Sequence, residues 1–228
     1  MTSSVNEARM RSPFLIQPGS KGGDTPEQVE AIATEATRCV ENGDWGGYLT
    51  CIEGDLMPAW FARDSHRLPD GEYWSALRYV YNTVKPARRW LHVFHSLLRS
   101  ERPERHEFMA PKELDVLARL PKTFSIYRGS FLGEVDSRLG EFSWTIDEEQ
   151  AASDAVTLFG RDDICVITGM VRKAHVWAYG WGGEVMVPPE KVFKTSTRLI
   201  DAKSIDCERD KYFCFDIEGW LKEANRGS

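Results

Sequence analysis

Between residues 24 and 120 the apolar positions recur at the 3.6-residue period of a helix, and past Thr123 they gather into short runs. The stretch DTPEQVEAIATEATRCVENGDW predicts the first helix. Thr25 supplies an N-cap, Pro26 fits the first helical position, and Gln28 completes a capping box. Val29, Ile32, Ala33, Ala36 and Val40 keep one face, and Asn42-Gly43 ends it. Tyr73, Trp74, Leu77, Val80, Tyr81 and Val84 predict a second apolar face. Trp90, Leu91, Phe94, Leu97 and Leu98 predict a third, with Lys85-Pro86 between the two. APKELDVLARLP reads as a short helix closed by Pro121.

From Thr123 the runs are rich in β-branched and aromatic residues and are separated by Gly, Pro or Asp. TFSIY, DDICVITGMV, KAHVWAYG, GEVMVP, KVFKTSTRLI and KYFCFDI are therefore expected as strands. Within FSIYRGS, at 124–130, the strand is expected to stop at Tyr127 and to leave through Arg128 and Gly129. One helix, DEEQAASDAVTLFG, interrupts the strands and is expected to start from a Thr145-x-x-Glu148 capping box. There is little room for βαβ repeats and no internal repeat. The fold class is α+β: a Ser- and Gly-rich tail at 1–23, a helical region at 24–120, and a strand-rich core at 121–228.

Composition narrows the picture further. A chain of 228 residues that is 42% hydrophobic and 28% charged is enough for one sizeable core, or for one domain with a smaller appendage, and is too apolar and aromatic to be disordered. Its net charge of −6 argues against general nucleic-acid coating. Residues 60–130 nevertheless carry thirteen Lys and Arg against eight Asp and Glu, which suits either an acidic partner or a solvated helical face. Five cysteines form no CxxC pair, and Cys165 and Cys214 sit in apolar runs, where reduced, buried thiols are expected. No apolar run reaches the ~18 residues of a membrane span, and MTSSVNEARMRSPF lacks the apolar centre of a signal peptide. A cytoplasmic protein is expected, or one delivered into a target cell by a route that needs no signal peptide.

The sequence contains no P-loop, GxGxxG, HExxH or GxSxG. His92 and His95 share a helix face, but without a nearby Cys or acidic partner they suit packing better than metal, so no metal site is expected. Three marks remain on the strand-rich half: Tyr127-Arg128-Gly129; GEFSWT, with Ser143 and Thr145 on one side of a strand; and WGGEVMVPPE, where Glu184 opens a strand. Singly they read as a surface ion pair, a strand-end hydroxyl, a helix cap and an exposed carboxylate. Together they suit one ligand. A guanidinium fork matches a phosphate, and Gly129 admits close approach to the backbone. A carboxylate can hold a ribose hydroxyl and stabilise a sugar cation. Rings of Phe142, Trp144, Tyr179 or Trp181 can stack on a flat heterocycle. The set describes a site for a pyrophosphate-linked nucleotide whose glycosidic bond breaks.

In these residues the chain resembles the toxin-like mono-ADP-ribosyltransferases of bacteria and phages, which carry an Arg–Ser–Glu order on a split, strand-rich core. IYRG is similar to their first motif, FSWT to the serine motif, and GGEVMVPPEKV to the motif whose glutamate opens a strand; the resemblance spans residues 120–200. It implies an NAD-dependent transferase that moves ADP-ribose from NAD, its substrate, to a protein or nucleic-acid acceptor and releases nicotinamide. It implies that Glu184, Ser143 and Arg128 are catalytic, and that Arg128, Gly129, Ser143, Trp144, Thr145 and Tyr179 surround NAD. An NAD glycohydrolase and an inactive binding protein of the same fold are the alternatives. Family members carry Glu or Gln two residues before the catalytic glutamate; here the residue is Gly182, which leaves the acceptor open.

Overall fold

The computed structural model describes residues 26–52, 54–84, 88–160, 162–205 and 216–226, and the chain divides between Phe108 and Met109 into two compact units. Among its described residues the first unit is helical: α1 (Pro26–Glu41), α2 (Trp45–Thr50), α3 (Met57–Asp64), α4 (Asp70–Val84) and α5 (Leu91–Leu98). The periodic face of α4 is its core face, with Tyr73, Trp74, Leu77, Val80 and Tyr81 all buried. Tyr81 meets Phe94 of α5 edge-on at 5.3 Å, and Tyr73 meets Phe61 of α3 at 5.5 Å. The Thr25 cap falls outside the described residues.

Part of the positive excess of the middle third is used inside this unit. The Arg102 and Arg105 guanidiniums each lie 4.7 Å over a ring, those of Tyr73 and Trp74. Arg102 donates to the Leu68 carbonyl at 2.6 Å and to that of Ser65 at 3.0 Å; Arg105 donates to Leu98 at 2.6 Å and Ser100 at 2.7 Å. These arginines fasten the segment after α5 onto α4. A second network joins α2 to α3: the Tyr48 hydroxyl and the Arg63 guanidinium both donate to the Asp64 carboxylate.

The second unit holds α6 (Pro111–Arg119), β1 (Thr123–Phe131), α7 (Val135–Leu139), β2 (Ser143–Thr145), α8 (Glu148–Phe159), β3 (Ile164–Arg172), β4 (Ala178–Tyr179), β5 (Glu184–Met186), β6 (Phe193–Leu199) and α9 (Ile217–Arg226). Its strands form one six-stranded antiparallel sheet in the order β4-β5-β2-β1-β3-β6. Nine α-helices and this sheet make the described chain a mixed α/β protein. The outer strand β6 carries an irregular pairing between Thr168 and Met170 and a left-handed residue, Lys194, at φ 52°.

Successive residues of a strand point to opposite faces, so the register sorts the side chains. One face carries Phe124, Ile126, Arg128, Trp144, Ile167, Tyr179 and Val185, all buried. The other carries Tyr127, Gly129, Ser143, Thr145, Val166, Thr168 and Glu184. On that second face α8 packs over β1 and β3 through Ala151, Ala152 and Ala155, against Ile164 and Val166. A Cβ at Gly129 would stand 2.3 Å from the Ala151 carbonyl oxygen and 2.6 Å from the Ala155 nitrogen. The glycine is thus explained by the close approach of a helix backbone to the sheet.

Several sequence expectations change. β1 does not stop at Tyr127; Arg128, Gly129, Ser130 and Phe131 continue the ladder with Ile167, Val166, Cys165 and Ile164 of β3. Thr145 does not cap α8, because it belongs to β2. The cap is Asp147, whose Oδ1 accepts from the Glu149 and Gln150 amides. Only two residues of KAHVWAYG pair as a strand, since Lys173–His175 turn into a 3-10 segment first. The segment KYFCF lies outside the described residues, while Ile217 opens α9, a helix that the strand reading left out.

Candidate active site

Glu184 sits where a turn becomes a strand. Gly182 and Gly183 adopt left-handed backbone, at φ 69° and 83°, and reverse the chain into β5. The Gly183 carbonyl accepts from the Ile146 amide at 3.0 Å, and the Glu184 carbonyl accepts from the Gly180 amide at 2.8 Å. Its backbone is therefore fixed from β2 on one side and from the end of β4 on the other. Thr145 stands directly opposite Glu184, and Ser143 is the next residue along the same face of β2. Ser143 Oγ donates to Glu184 Oε1 at 2.5 Å. Thr145 Oγ1 accepts from the Asp147 amide at 3.1 Å, a bond that does not consume its hydroxyl proton. Ser143, Thr145 and Glu184 are each partly exposed. A carboxylate and two hydroxyls thus converge on an accessible patch of the sheet.

Arg128 is not part of this patch. It lies on the opposite face with 6% of its side chain exposed. Its guanidinium stacks 4.3 Å over the Trp144 ring, donates to the Arg138 carbonyl, and stands 3.8 Å from the Glu141 carboxylate. Arg138 in turn pairs with Glu141 at 3.0 Å, and Trp144 Nε1 donates to the Glu141 carbonyl at 3.3 Å. Arg128 therefore braces the back of β2, whose front carries Ser143.

The aromatic residues divide in the same way. Trp144 and Tyr179 are buried on the back face, and Phe142 is buried too. Burial, followed by the charge of Glu113, pushes the Tyr179 phenol up to about 12. The Trp181 side chain falls outside the described residues. Tyr127 is an aromatic residue on the face of Ser143 and Glu184, directly across from Thr145 and half-buried. Sequence reading passed over it because its neighbour Arg128 carried the motif. Alternation along β1, with Gly129 facing α8, is the signal that places Tyr127 in front and Arg128 behind.

Comparison with protein-family models, with curated proteins and with solved structures finds no match.

The first unit has an open cleft of about 630 Å³ lined by Asp44, Trp45, Glu72 and Tyr79. Asp44 is committed there to capping α2, accepting from the Gly47 amide at 2.8 Å. The described residues hold no cluster of three or more His, Cys, Asp and Glu able to bind a metal. No described helix is long and apolar enough to cross a membrane. Cys39, Cys51 and Cys165 are free thiols.

Proposed function

We propose that this chain is an NAD-dependent mono-ADP-ribosyltransferase whose reaction is centred on Glu184 and Ser143. The observation that carries the reading is the Ser143–Glu184 hydrogen bond, with Thr145 directly opposite on the same accessible face. The donor set suits the nicotinamide side of NAD: a carboxylate to accept from a ribose hydroxyl, and hydroxyls to fix that carboxylate.

Glu184 accepts a hydrogen bond from the ribose 2′-hydroxyl and places its negative charge near C1′. That charge stabilises the positive character developing at C1′ as the bond to the pyridinium nitrogen breaks. The bonding electron pair leaves with nicotinamide, which departs neutral. The acceptor then forms its bond to C1′ and gives up a proton. Because the cation exists only on the way to product, this contact strengthens in the transition state and raises kcat. Ser143 holds the carboxylate in one orientation throughout. Arg128 contributes from behind, by keeping Trp144 and hence β2 in place.

Gly182 favours a second reading. A Cβ built there meets no described atom within 4 Å, so the position two residues before Glu184 is open space and offers no side chain of its own to orient an acceptor. Water can then serve as acceptor, which makes the protein an NAD glycohydrolase. Incubation with labelled NAD and a cell lysate separates the two. Transfer labels protein or nucleic acid, whereas hydrolysis releases nicotinamide without label. Glu184→Gln abolishes nicotinamide release in either case, and release at the wild-type rate from that variant overturns both.

A further inference from the structure

We propose that the row of polar side chains extending from Glu184 across the sheet seats the ADP half of NAD, with Arg198 as its phosphate contact. This rests on the NAD reading above, and its test is chosen to fail separately from it.

The register aligns the row residue by residue. Glu184 of β5 faces Thr145 of β2, Thr145 faces Tyr127 of β1, Tyr127 faces Thr168 of β3, and Thr168 faces Ser196 of β6. Directly paired residues share a face, so one carboxylate and four hydroxyl-bearing side chains stand in a line. Four of them are partly exposed and Ser196 is exposed. The adjacent line of the same face is different: Gly129 and Val166 are buried beneath α8. The polar row therefore runs beside that helix, and Tyr127 in its middle packs against the cluster of α8 alanines with Ile164 and Val166.

Its length suits the ligand. Strands lie ~4.8 Å apart, so four strand spacings span ~19 Å. That is longer than one nucleoside and appropriate to two nucleosides joined by a pyrophosphate. The hydroxyls match ribose and phosphate oxygens, and the Tyr127 ring offers a flat, apolar surface beside them. A cation reaches back from the outer strand to the middle of the row, where the pyrophosphate of a dinucleotide falls, because the Glu148 carboxylate that holds it also acts electrostatically on Tyr127 in mid-row. Arg198 sits opposite Val166, on this same face, with 61% of its side chain exposed, and its guanidinium is held 2.5 Å from the Glu148 carboxylate at the start of α8. Arg128, buried behind the sheet, cannot reach an anion lying on this face. Arg198 has the planar donor fork that Arg128 was expected to supply, on the side where Glu184 and Ser143 are.

Isothermal titration with ADP-ribose and with NAD tests the seat in the full-length protein and in Thr168→Val, Ser196→Ala and Arg198→Ala. Each substitution is expected to weaken ADP-ribose binding about fivefold to tenfold. Arg198→Ala should also flatten the salt dependence, because a phosphate contact is lost. KM for NAD rises in parallel while kcat holds, as for groups that bind substrate and transition state alike. Arg198→Lys restores part of the affinity and serves as a second variant at that position. Unchanged ADP-ribose affinity in all three, in a protein that releases nicotinamide and loses this with Glu184→Gln, overturns the seat and leaves the transferase reading standing. A wild-type protein that neither binds ADP-ribose nor releases nicotinamide overturns both.

Discussion

The Arg128 guanidinium and the Glu184 carboxylate stand on opposite faces of one sheet. Arg128 is buried on Trp144, and Glu184 is partly exposed beside Ser143. On the proposed reading, loss of nicotinamide release on changing either residue would look the same in an assay, yet the causes differ.

Arg128→Ala should therefore act first on stability. It removes a buried cation from beside Glu141 and empties the space against Trp144. Breaking a buried pair from one side costs about 3 kcal/mol or more. The chemical-denaturation midpoint should fall accordingly, and Arg128→Lys should recover only part, since a lysine cannot stack and donate as a fork. An unchanged midpoint together with weakened NAD binding would place the arginine on the ligand instead.

If the proposed reaction holds, Ser143→Ala should leave the fold intact and slow nicotinamide release. The serine is partly exposed, but its hydroxyl restrains the Glu184 carboxylate. Losing a hydrogen bond to a charged group costs about 1.5 kcal/mol, or roughly tenfold in the rate of nicotinamide release. Ser143→Thr should restore much of it. A rate unaffected by Ser143→Ala would remove the serine from the mechanism.

Gly129→Ala is expected to be among the more damaging single-methyl additions in the second unit. The new Cβ would stand 2.3 Å from a backbone oxygen and 2.6 Å from a backbone nitrogen of α8, neither of which is the end of a flexible side chain. Overpacking of this kind costs about 1–3 kcal/mol. Thermal unfolding should register it as a lower Tm, with Ala155→Gly in the same chain recovering little, because backbone atoms make the closest contacts.

The Tyr48–Asp64 pair predicts pH dependence at both ends. Burial alone would raise the Asp64 carboxyl, but hydrogen bonds from Arg63 and Tyr48 outweigh it and hold the carboxyl below its ordinary 3.8. A lowered pKa stabilises the fold above the unfolded value and is lost as pH falls through the folded one. Burial, followed by the hydrogen bond to Asp64, raises the Tyr48 phenol above its ordinary 10.0. That contribution is present below the unfolded value and is lost as pH rises through the folded one. Asp64→Asn should lower stability at pH 7 and flatten the acid limb of the stability curve. Denaturation midpoints measured from pH 3 to 11 in both proteins check this, and parallel curves would refute it.

Periodicity made most of the helical unit legible. The face of Tyr73, Trp74, Leu77, Val80 and Tyr81 is the buried face of α4 because one stripe on a helix decides what it buries. The strand-rich half was legible as strands but not as a sheet. A short strand gives no hint of its neighbour, and neighbours fix which side chains share a face. FSIYRGS illustrates the limit. Its alternation places Tyr127 and Arg128 on opposite sides, but only pairing with β2 and β3 reveals that the side of Tyr127 is the side of Glu184. Thr145 shows the same gap at smaller scale: hydroxyl spacing before an acidic helix fits a cap, whereas pairing with Tyr127 and Glu184 holds the residue in a strand and passes the cap to Asp147.

The outer strand β6 has a consequence for how this protein behaves at high concentration. Most of its residues are exposed, and an unbroken strand of that kind is a template onto which a second chain can add by backbone pairing. Lys194 interrupts it with left-handed backbone and a charge, Arg198 adds a second charge, and the pairing slips between Thr168 and Met170. The rim is thus kinked and cationic, which opposes edge-to-edge aggregation, and neutralising Lys194 and Arg198 together should make the chain less soluble.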